Sequence, residues 1–289
     1  MSVEMFLRPR KYPGAREFVF WPHLSRLDGR FVAVDVRARH SPFRTTLRLR
    51  PDSTDVETFE QTFLSAQYRT CHMARHADIV AYYESCANPL VLDLGANVGL
   101  SALYFAKNWP KATIVGVEPD EGNYALFCQN IAGQEHIVPI HGAIASRHSH
   151  ARIINPEATE WAYRTEINDA SSGDLTAVSV AELLERHRDC EPFICKIDIE
   201  GAEQELFSAN TQWVARFPIV IIELHDWLFP LSGSSANFLR ATAGMERDLI
   251  LSGENLFSIS HRMGSAEGSR RTKSSPEPAL MPIGQEKNI

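Results

Sequence analysis

Four short stretches place ionisable side chains beside glycine, or at alternate positions of apolar runs, where such groups are costly unless they pair or face a cleft. The first is Leu90-Val91-Leu92-Asp93-Leu94-Gly95-Ala96-Asn97-Val98-Gly99-Leu100-Ser101. An apolar β-type run enters a turn there, and a helix is expected from Leu100 to Trp109. Gly95 lets the backbone bend and approach a bound group. Asn97 is one of the few non-glycine types that tolerate positive φ, and Gly99 lets helix and strand pack closely. A turn of this kind holds a nucleotide-like cofactor over the end of a parallel sheet. In a dinucleotide turn the glycines follow G-x-G-x-x-G and a pyrophosphate sits on the helix N-terminus, where a nearby carboxylate repels it. Here the spacing is Gly95-x-Asn97-x-Gly99, with Asp93 two residues before the first glycine. An anion at that point suits a cationic ligand such as the α-amino group of S-adenosylmethionine, whose carboxylate can lie on the amides of the turn.

The second stretch, Ile114-Val115-Gly116-Val117-Glu118-Pro119, ends in an acid 25 residues after Asp93. A carboxylate so placed accepts hydrogen bonds from both ribose hydroxyls of an adenosyl group, with Pro119 beside it among the cofactor contacts. The competing reading of Glu118 is a charge favourable to the dipole of the next helix.

The third, Lys196-Ile197-Asp198-Ile199-Glu200-Gly201-Ala202-Glu203, places Lys196, Asp198 and Glu200 on one side of a strand end. Ile221-Ile222-Glu223-Leu224-His225-Asp226-Trp227 repeats the pattern, so two neighbouring strands deliver Asp198, Glu200, Glu223 and His225 to a common cleft. His225 is the candidate general base, since an imidazole titrates near working pH and Glu223 or Asp198 can orient it. The bland reading is a structural histidine. The same oxygens and imidazole are of the types that Mg²⁺ uses, but acids at strand ends serve cofactor binding and helix capping at least as often, so no metal is assigned. His72 and His76 have the spacing of a helical metal pair without the glutamate of His-Glu-x-x-His. Cys71, Cys86, Cys128, Cys190 and Cys195 form no paired cluster.

The elements that must position these residues follow from periodicity. From Leu90 onward strands and helices alternate, which predicts an α/β fold with a parallel sheet covered on both faces. The strands are expected at Leu90–Leu94, Thr113–Val117, Ile137–His141, Phe193–Ile199 and Ile219–Leu224, with a final pair at Asp248–Leu251 and Asn255–Ile259. Ahead of them, Phe31–Arg37 and Thr45–Arg50 alternate as a β-hairpin. Thr54 and Glu57 have the spacing of a capping box that opens a helix with Phe59 and Phe63, and a second helix is expected from Ala74 to Ser85. Residues 1–30 show no period and are read as irregular cover. Residues 147–176 make a long aperiodic connection, a candidate lid or substrate wall with Trp161 and Tyr163 as anchors. The organisation expected is an N-terminal cover over residues 1–70, a cofactor-binding domain over 71–262 and a disordered tail over 263–289.

Composition bounds the function classes. The 289 residues carry a net charge of −7, with eleven Lys/Arg against four Asp/Glu in residues 1–50, hence +7 there and −14 over the rest. A basic end can steer an anionic substrate, but arginines alternating with apolar residues read more simply as the solvated face of a hairpin. No motif for nucleic acid is present, and none is expected as a partner. No apolar run reaches the length of a membrane span and no signal peptide is evident, so a cytoplasmic protein with reduced thiols is expected.

On Asp93-Leu94-Gly95-Ala96-Asn97-Val98-Gly99, Val117-Glu118-Pro119-Asp120, the octet Lys196–Glu203 and Ile222-Glu223-Leu224-His225, the chain resembles the FkbM-type S-adenosylmethionine-dependent methyltransferases. Arg50–Asp55 with Gln61, Phe63 and Tyr68 is similar to that family's N-terminal entry, and the resemblance covers roughly residues 45–260. It implies a doubly wound, seven-stranded Rossmann-like methyltransferase sheet, here with an N-terminal hairpin and helix extension. It also implies methyl transfer to a hydroxyl of a sugar or natural product. The alternatives are a methyltransferase-like module that binds without catalysing, and a nucleotide-dependent oxidoreductase, which Asp93 and the missing glycine at position 97 disfavour.

Overall fold

A computed structural model describes residues 12–27, 31–154, 165–168 and 175–263. Phe18–Leu27 (β1), Phe31–Ala38 (β2) and Arg44–Leu49 (β3) form a three-stranded antiparallel sheet. The expected hairpin is β2 and β3, with Val34, Val36, Leu47 and Leu49 buried and Arg37, Arg44 and Arg48 exposed on the solvated face. β1 overturns the reading of irregular cover for residues 18–27, while residues 1–11 and 28–30 lie outside the described residues. It is an edge strand and so tolerates Pro22, which breaks the sequence pattern without breaking the ladder.

Asp55–Phe59 (α1) continues as a π-helical turn, Glu60–Leu64. The expected capping box of Thr54 and Glu57 is not formed, because Thr54 sits at the N-cap in a helical conformation and its side chain makes no capping bond. Arg50 reorganises this end. Its amide and guanidinium donate to Asp55 at 2.7–3.0 Å, while Ser53 Oγ accepts from the Asp55 amide at 3.2 Å. A charged fork on a buried carboxylate outweighs a neutral cap. Phe59 and Phe63 are fully buried and stack at 5.6 Å.

The main body follows in the expected alternation: His76–Ser85 (α2), Pro89–Leu94 (β4), Leu100–Asn108 (α3), Thr113–Glu118 (β5), Glu121–Asn130 (α4) and Ile137–His141 (β6). After the small sheet described below come Val180–Arg186 (α5), Glu191–Ile197 (β11), Glu203–Leu206 (α6), Ile219–Glu223 (β12), Ala236–Thr242 (α7), Arg247–Ser252 (β13) and Asn255–Ser260 (β14). The order across the seven-stranded sheet is β13-β14-β12-β11-β4-β5-β6, with β14 antiparallel to its neighbours and β12, β11, β4, β5 and β6 parallel. This is the doubly wound α/β fold expected. Alternation along each strand divides the core. Val91, Ile114, Ile194 and Ile221 pack towards α2, α3 and the N-terminal sheet, whereas Leu92, Val115, Cys195 and Ile222 pack towards Leu183, Trp213 and Phe238.

The described part of the connection at 147–176 is not aperiodic. Ser149–Ile153 (β8), Thr165–Asn168 (β9) and Leu175–Ser179 (β10) join Ala143–Ala145 (β7) in a four-stranded sheet ordered β7-β10-β8-β9. Its core is Ala143, Ala145, Ala151 and Ala177, residues too small to give the sequence a hydrophobic period. Trp161 and Tyr163, and the tail beyond Met263, lie outside the described residues. Among the described residues no helix is long and apolar enough to cross a membrane.

Gly99 locks α3 to α4. It has φ +84°, and a Cβ there would stand 2.2 Å from Phe127 Cδ2. Gly99→Ala should therefore destabilise the chain by about 2–4 kcal/mol, combining left-handed strain with overpacking. Denaturant unfolding measures this, and a change under about 0.5 kcal/mol, the range of an uninvolved surface site, would refute the packing described.

Candidate active site

The carboxyl ends of β4, β5, β11 and β12 open into one cavity of about 450 Å³, the size range of small-ligand sites. Its floor is an ion pair. Asp93 and Lys196 are register partners on adjacent strands, and the Lys196 ammonium lies 3.2 Å from Asp93 Oδ1, 2.7 Å from the Gly95 carbonyl and 3.5 Å from Asp198 Oδ2. Burial disfavours the Lys196 charge, but the surrounding anions, Asp93 foremost, outweigh it and hold the amine protonated. Burial likewise pushes the Asp93 carboxyl up, against the pull of Lys196 and of Ser101 Oγ, which donates at 2.5 Å.

Two expectations about the turn change here. Asp93 is fully buried and is not among the cavity-lining residues, so its charge is neutralised by Lys196 and not presented to a ligand's amino group. Four amides of the turn are engaged as well: Gly95 and Ala96 donate to the Val117 carbonyl, Asn97 to Glu118 and Gly99 to the Ala96 carbonyl. Asn97 has φ +48°, as its residue type allows. Gly95 is needed because a Cβ would meet the Asp198 carbonyl oxygen at 1.8 Å, a close approach to protein backbone rather than to a ligand.

Glu118 lies on the cavity wall beside Pro119. Its Oε2 accepts from the Asn97 amide at 2.8 Å, and its Oε1 from the Asp120 amide at 3.0 Å and Asn123 Nδ2 at 3.3 Å. Each carboxylate oxygen has two acceptor sites, so with Oε1 filled by two donors and Oε2 by one, a site remains on Oε2 for a ribose hydroxyl. Burial pushes Glu118 up to about 7, with the three donors opposing the shift and the nearby Asp120 carboxylate adding to it.

Across the cavity His225, 1% exposed, sits inside a ring of carboxylates. Its Nδ1 is 2.9 Å from Glu203 Oε1, and its Nε2 faces Glu200 Oε2 at 3.4 Å, Glu223 Oε1 at 3.6 Å and Asp198 Oδ1 at 3.8 Å. Burial lowers the imidazole pKa, but Glu203 and the other anions overcome it and raise it to about 9. The ring is therefore cationic near neutrality, which removes the reason for choosing His225 as a free base titrating near working pH. Glu200 is pushed up to about 8 and Glu223 to about 7, in each case by burial first and then by Asp198.

Gly95, Asn97, Glu118, Pro119, Asp198, Glu223 and His225 thus line one cavity, while Asp93 and Gly99 stand behind it as supports. Sequence reasoning assigned the orienting of His225 to Glu223 or Asp198. Glu203 does it from the first turn of α6, and its only signal was its place in the octet. Trp227, 67% exposed, and Leu228 form an apolar rim that also went unread.

A family model described as the methyltransferase FkbM domain matches residues 93–243. The methyltransferase sdnD of Sordaria araneosa is 39% identical over 46 residues, 16% of this chain and 18% of that protein, so the match spans less than a fifth of the relative's length. Among solved structures, Aeropyrum pernix fibrillarin with natively bound S-adenosyl-L-methionine is 13% identical over 60% of this chain and 66% of that one, with a TM-score of 0.34. The Podospora anserina methyltransferase PaMTH1, bound to SAH, is 14% identical over 73% and 88%, with a TM-score of 0.37.

If Glu118 accepts from ribose in its ionised form, S-adenosylmethionine must displace the proton that burial retains there. Affinity should then rise as pH rises through about 7 and flatten above it. Glu118→Gln should remove this pH dependence and weaken binding by about tenfold or more, the loss of a charge-assisted hydrogen bond. Calorimetric titration across pH reads both, and a pH-independent affinity in the unaltered chain would contradict the assignment.

Proposed function

The chain belongs to the FkbM methyltransferase family, and we propose that it transfers a methyl group from S-adenosylmethionine to a hydroxyl oxygen of a sugar or natural-product acceptor. The observation that carries this reading is the carboxyl-rich lining of the cavity. Among the described residues it holds Glu118, Asp198, Glu200, Glu223 and Glu254 against only Lys196 and His225, both of which already face carboxylates. A lining with no unpaired cation to receive a pyrophosphate, and with acceptors for a positive group, suits a sulfonium better. Glu118 with Pro119 would hold the adenosyl ribose, and the turn of Gly95, Asn97 and Gly99 would fix the wall it lies against.

The cosubstrate supplies an already electrophilic methyl group, so the protein's work is alignment, exclusion of water and removal of one proton. His225, Glu223 and Asp198 form a cluster on the side opposite Glu118, and the acceptor hydroxyl gives its proton to the Glu223 carboxylate, held beside the His225 ring, as the oxygen attacks. Residues 71–262 carry this chemistry, with the cover over 1–70 contributing Gln61 and Tyr68 to the acceptor side of the cavity. The Trp227 and Leu228 rim gives the acceptor an apolar face to lie on.

Incubation with methyl-labelled S-adenosylmethionine and fractionated small molecules tests the reading. Label should enter an acceptor as an alkali-stable ether. An alkali-labile or nitrogen-bound product would overturn the oxygen-ether assignment, and calorimetric binding of reduced nicotinamide cofactors in place of S-adenosylmethionine would overturn the whole. His225→Ala, which removes the imidazole that holds the proton-accepting carboxylates together, should lower turnover by about 100-fold or more while leaving S-adenosylmethionine affinity nearly unchanged. Unaltered turnover would remove His225 from the chemistry.

A further inference from the structure

The carboxylate ring around His225 is unbalanced in charge and in hydrogen bonding. Asp198, Glu200, Glu203 and Glu223 surround one imidazole, and the neighbouring ammonium, Lys196, is shared between Asp93 at 3.2 Å and Asp198 Oδ2 at 3.5 Å. Two further facts distinguish this from a surface cluster of acids. His225 is almost wholly buried, its Nδ1 is bonded to Glu203, and its Nε2 is aimed at oxygens of three carboxylates, Glu200, Glu223 and Asp198. Asp198 Oδ1 is itself shut off from solvent and accepts no hydrogen bond.

The spacing of these atoms suits a single cation. One ligand atom each from Asp198, Glu200 and His225 lie within 4.8 Å of one another. The separations from Nε2 to Glu200, Glu223 and Asp198 are 3.4, 3.6 and 3.8 Å. A metal about 2.1 Å from each donor spreads neighbouring donors about 3.0 Å apart in an octahedron and about 3.4 Å apart in a tetrahedron, so small side-chain movements close the set. The opposite ring nitrogen is already fixed by Glu203, the outer carboxylate that orients a ligating histidine and selects its tautomer.

We propose that Asp198, Glu200 and His225 bind a divalent cation in the acceptor half of the cavity, with Glu223 left as the free carboxylate beside it. One imidazole with carboxylates favours Mn²⁺, Fe²⁺ or Zn²⁺ over Mg²⁺, which prefers oxygen donors and water. The cation takes the place of the proton on Nε2 and offsets the surplus of carboxylates. Its role, though not its binding, rests on the methyl-transfer reading. An acceptor hydroxyl coordinated at an open position loses its proton to Glu223. Its oxygen lone pair forms the new bond to the methyl carbon as the bond to sulfur breaks, and sulfur keeps that electron pair. The acceptor class this favours has a second oxygen next to the reacting hydroxyl, as in a vicinal diol or a hydroxy acid, so that both oxygens reach the cation.

Full-length protein stripped with chelator and dialysed is titrated with Mn²⁺, with free Mn²⁺ followed by its paramagnetic resonance. S-adenosylmethionine binding is measured on the same sample by calorimetry. The expected result is one Mn²⁺ per chain, weakened about tenfold or more by Asp198→Asn and by Glu200→Gln, with folding of each variant checked by thermal unfolding. Co²⁺ should give a d–d spectrum that changes in His225→Gln. Failure of the folded, unaltered chain to bind Mn²⁺ overturns the proposal, as does binding that none of these substitutions weakens. Mn²⁺ binding without S-adenosylmethionine binding would retain the site and refute the methyl-transfer reading, whereas the converse would refute the site alone.

Discussion

Lys196 is a buried ammonium held by oxygens of Asp93, Gly95 and Asp198, at the point where two neighbouring parallel strands end. An uncompensated charge there is intolerable, and breaking such a pair costs about 3–5 kcal/mol, so the contacts fix the two strand ends together. The consequences spread outward. With its carbonyl on Lys196, Gly95 is pressed against the Asp198 backbone so closely that only glycine fits. That contact sets the turn towards α3, which brings the Asn97 amide onto Glu118 and ties β4 to the end of β5. The same pair screens Asp93 from the cavity and leaves the remaining acids to define its electrostatics.

Those acids fall into two groups with different support. Glu118 is held by amides of two turns and by Asn123, donors that orient the carboxyl and oppose the proton that burial favours there. Around His225 the support is ionic: four carboxylates converge on a single ring, and the burial that raises the Glu200 and Glu223 carboxyls also strengthens the hold of the cluster on any cation placed within it. One side of the cavity thus offers hydrogen-bond acceptors on a carboxyl held by amides, and the other a convergence of carboxylates on one imidazole.

How much of this was legible in the sequence depended on distance along the chain. β4, β5, β11 and β12 were readable because apolar runs end abruptly in acids and glycine, and alternation already grouped Lys196 with Asp198 and Glu200. β1 was hidden by Pro22 and an aromatic-rich composition, and the small sheet by alanines that give no hydrophobic contrast. Partnerships between segments were the least visible. Sequence placed Asp93 towards a ligand, because nothing in it states that Lys196, 103 residues later, is its register partner. Nor could it choose among the carboxylates for His225 Nδ1, since that choice depends on where α6 begins after the turn at Gly201.

The central claim is that one cavity holds the adenosyl group on Glu118 and presents the methyl group to the His225 cluster. A crystal structure of the full chain with S-adenosylhomocysteine bound tests it most directly. The account predicts ribose hydroxyls within hydrogen-bond distance of the Glu118 carboxylate and the thioether sulfur turned towards Asp198, Glu223 and His225. Electron density for the ligand outside this cavity, or with its ribose away from Glu118 and its sulfur turned from the cluster, would contradict it.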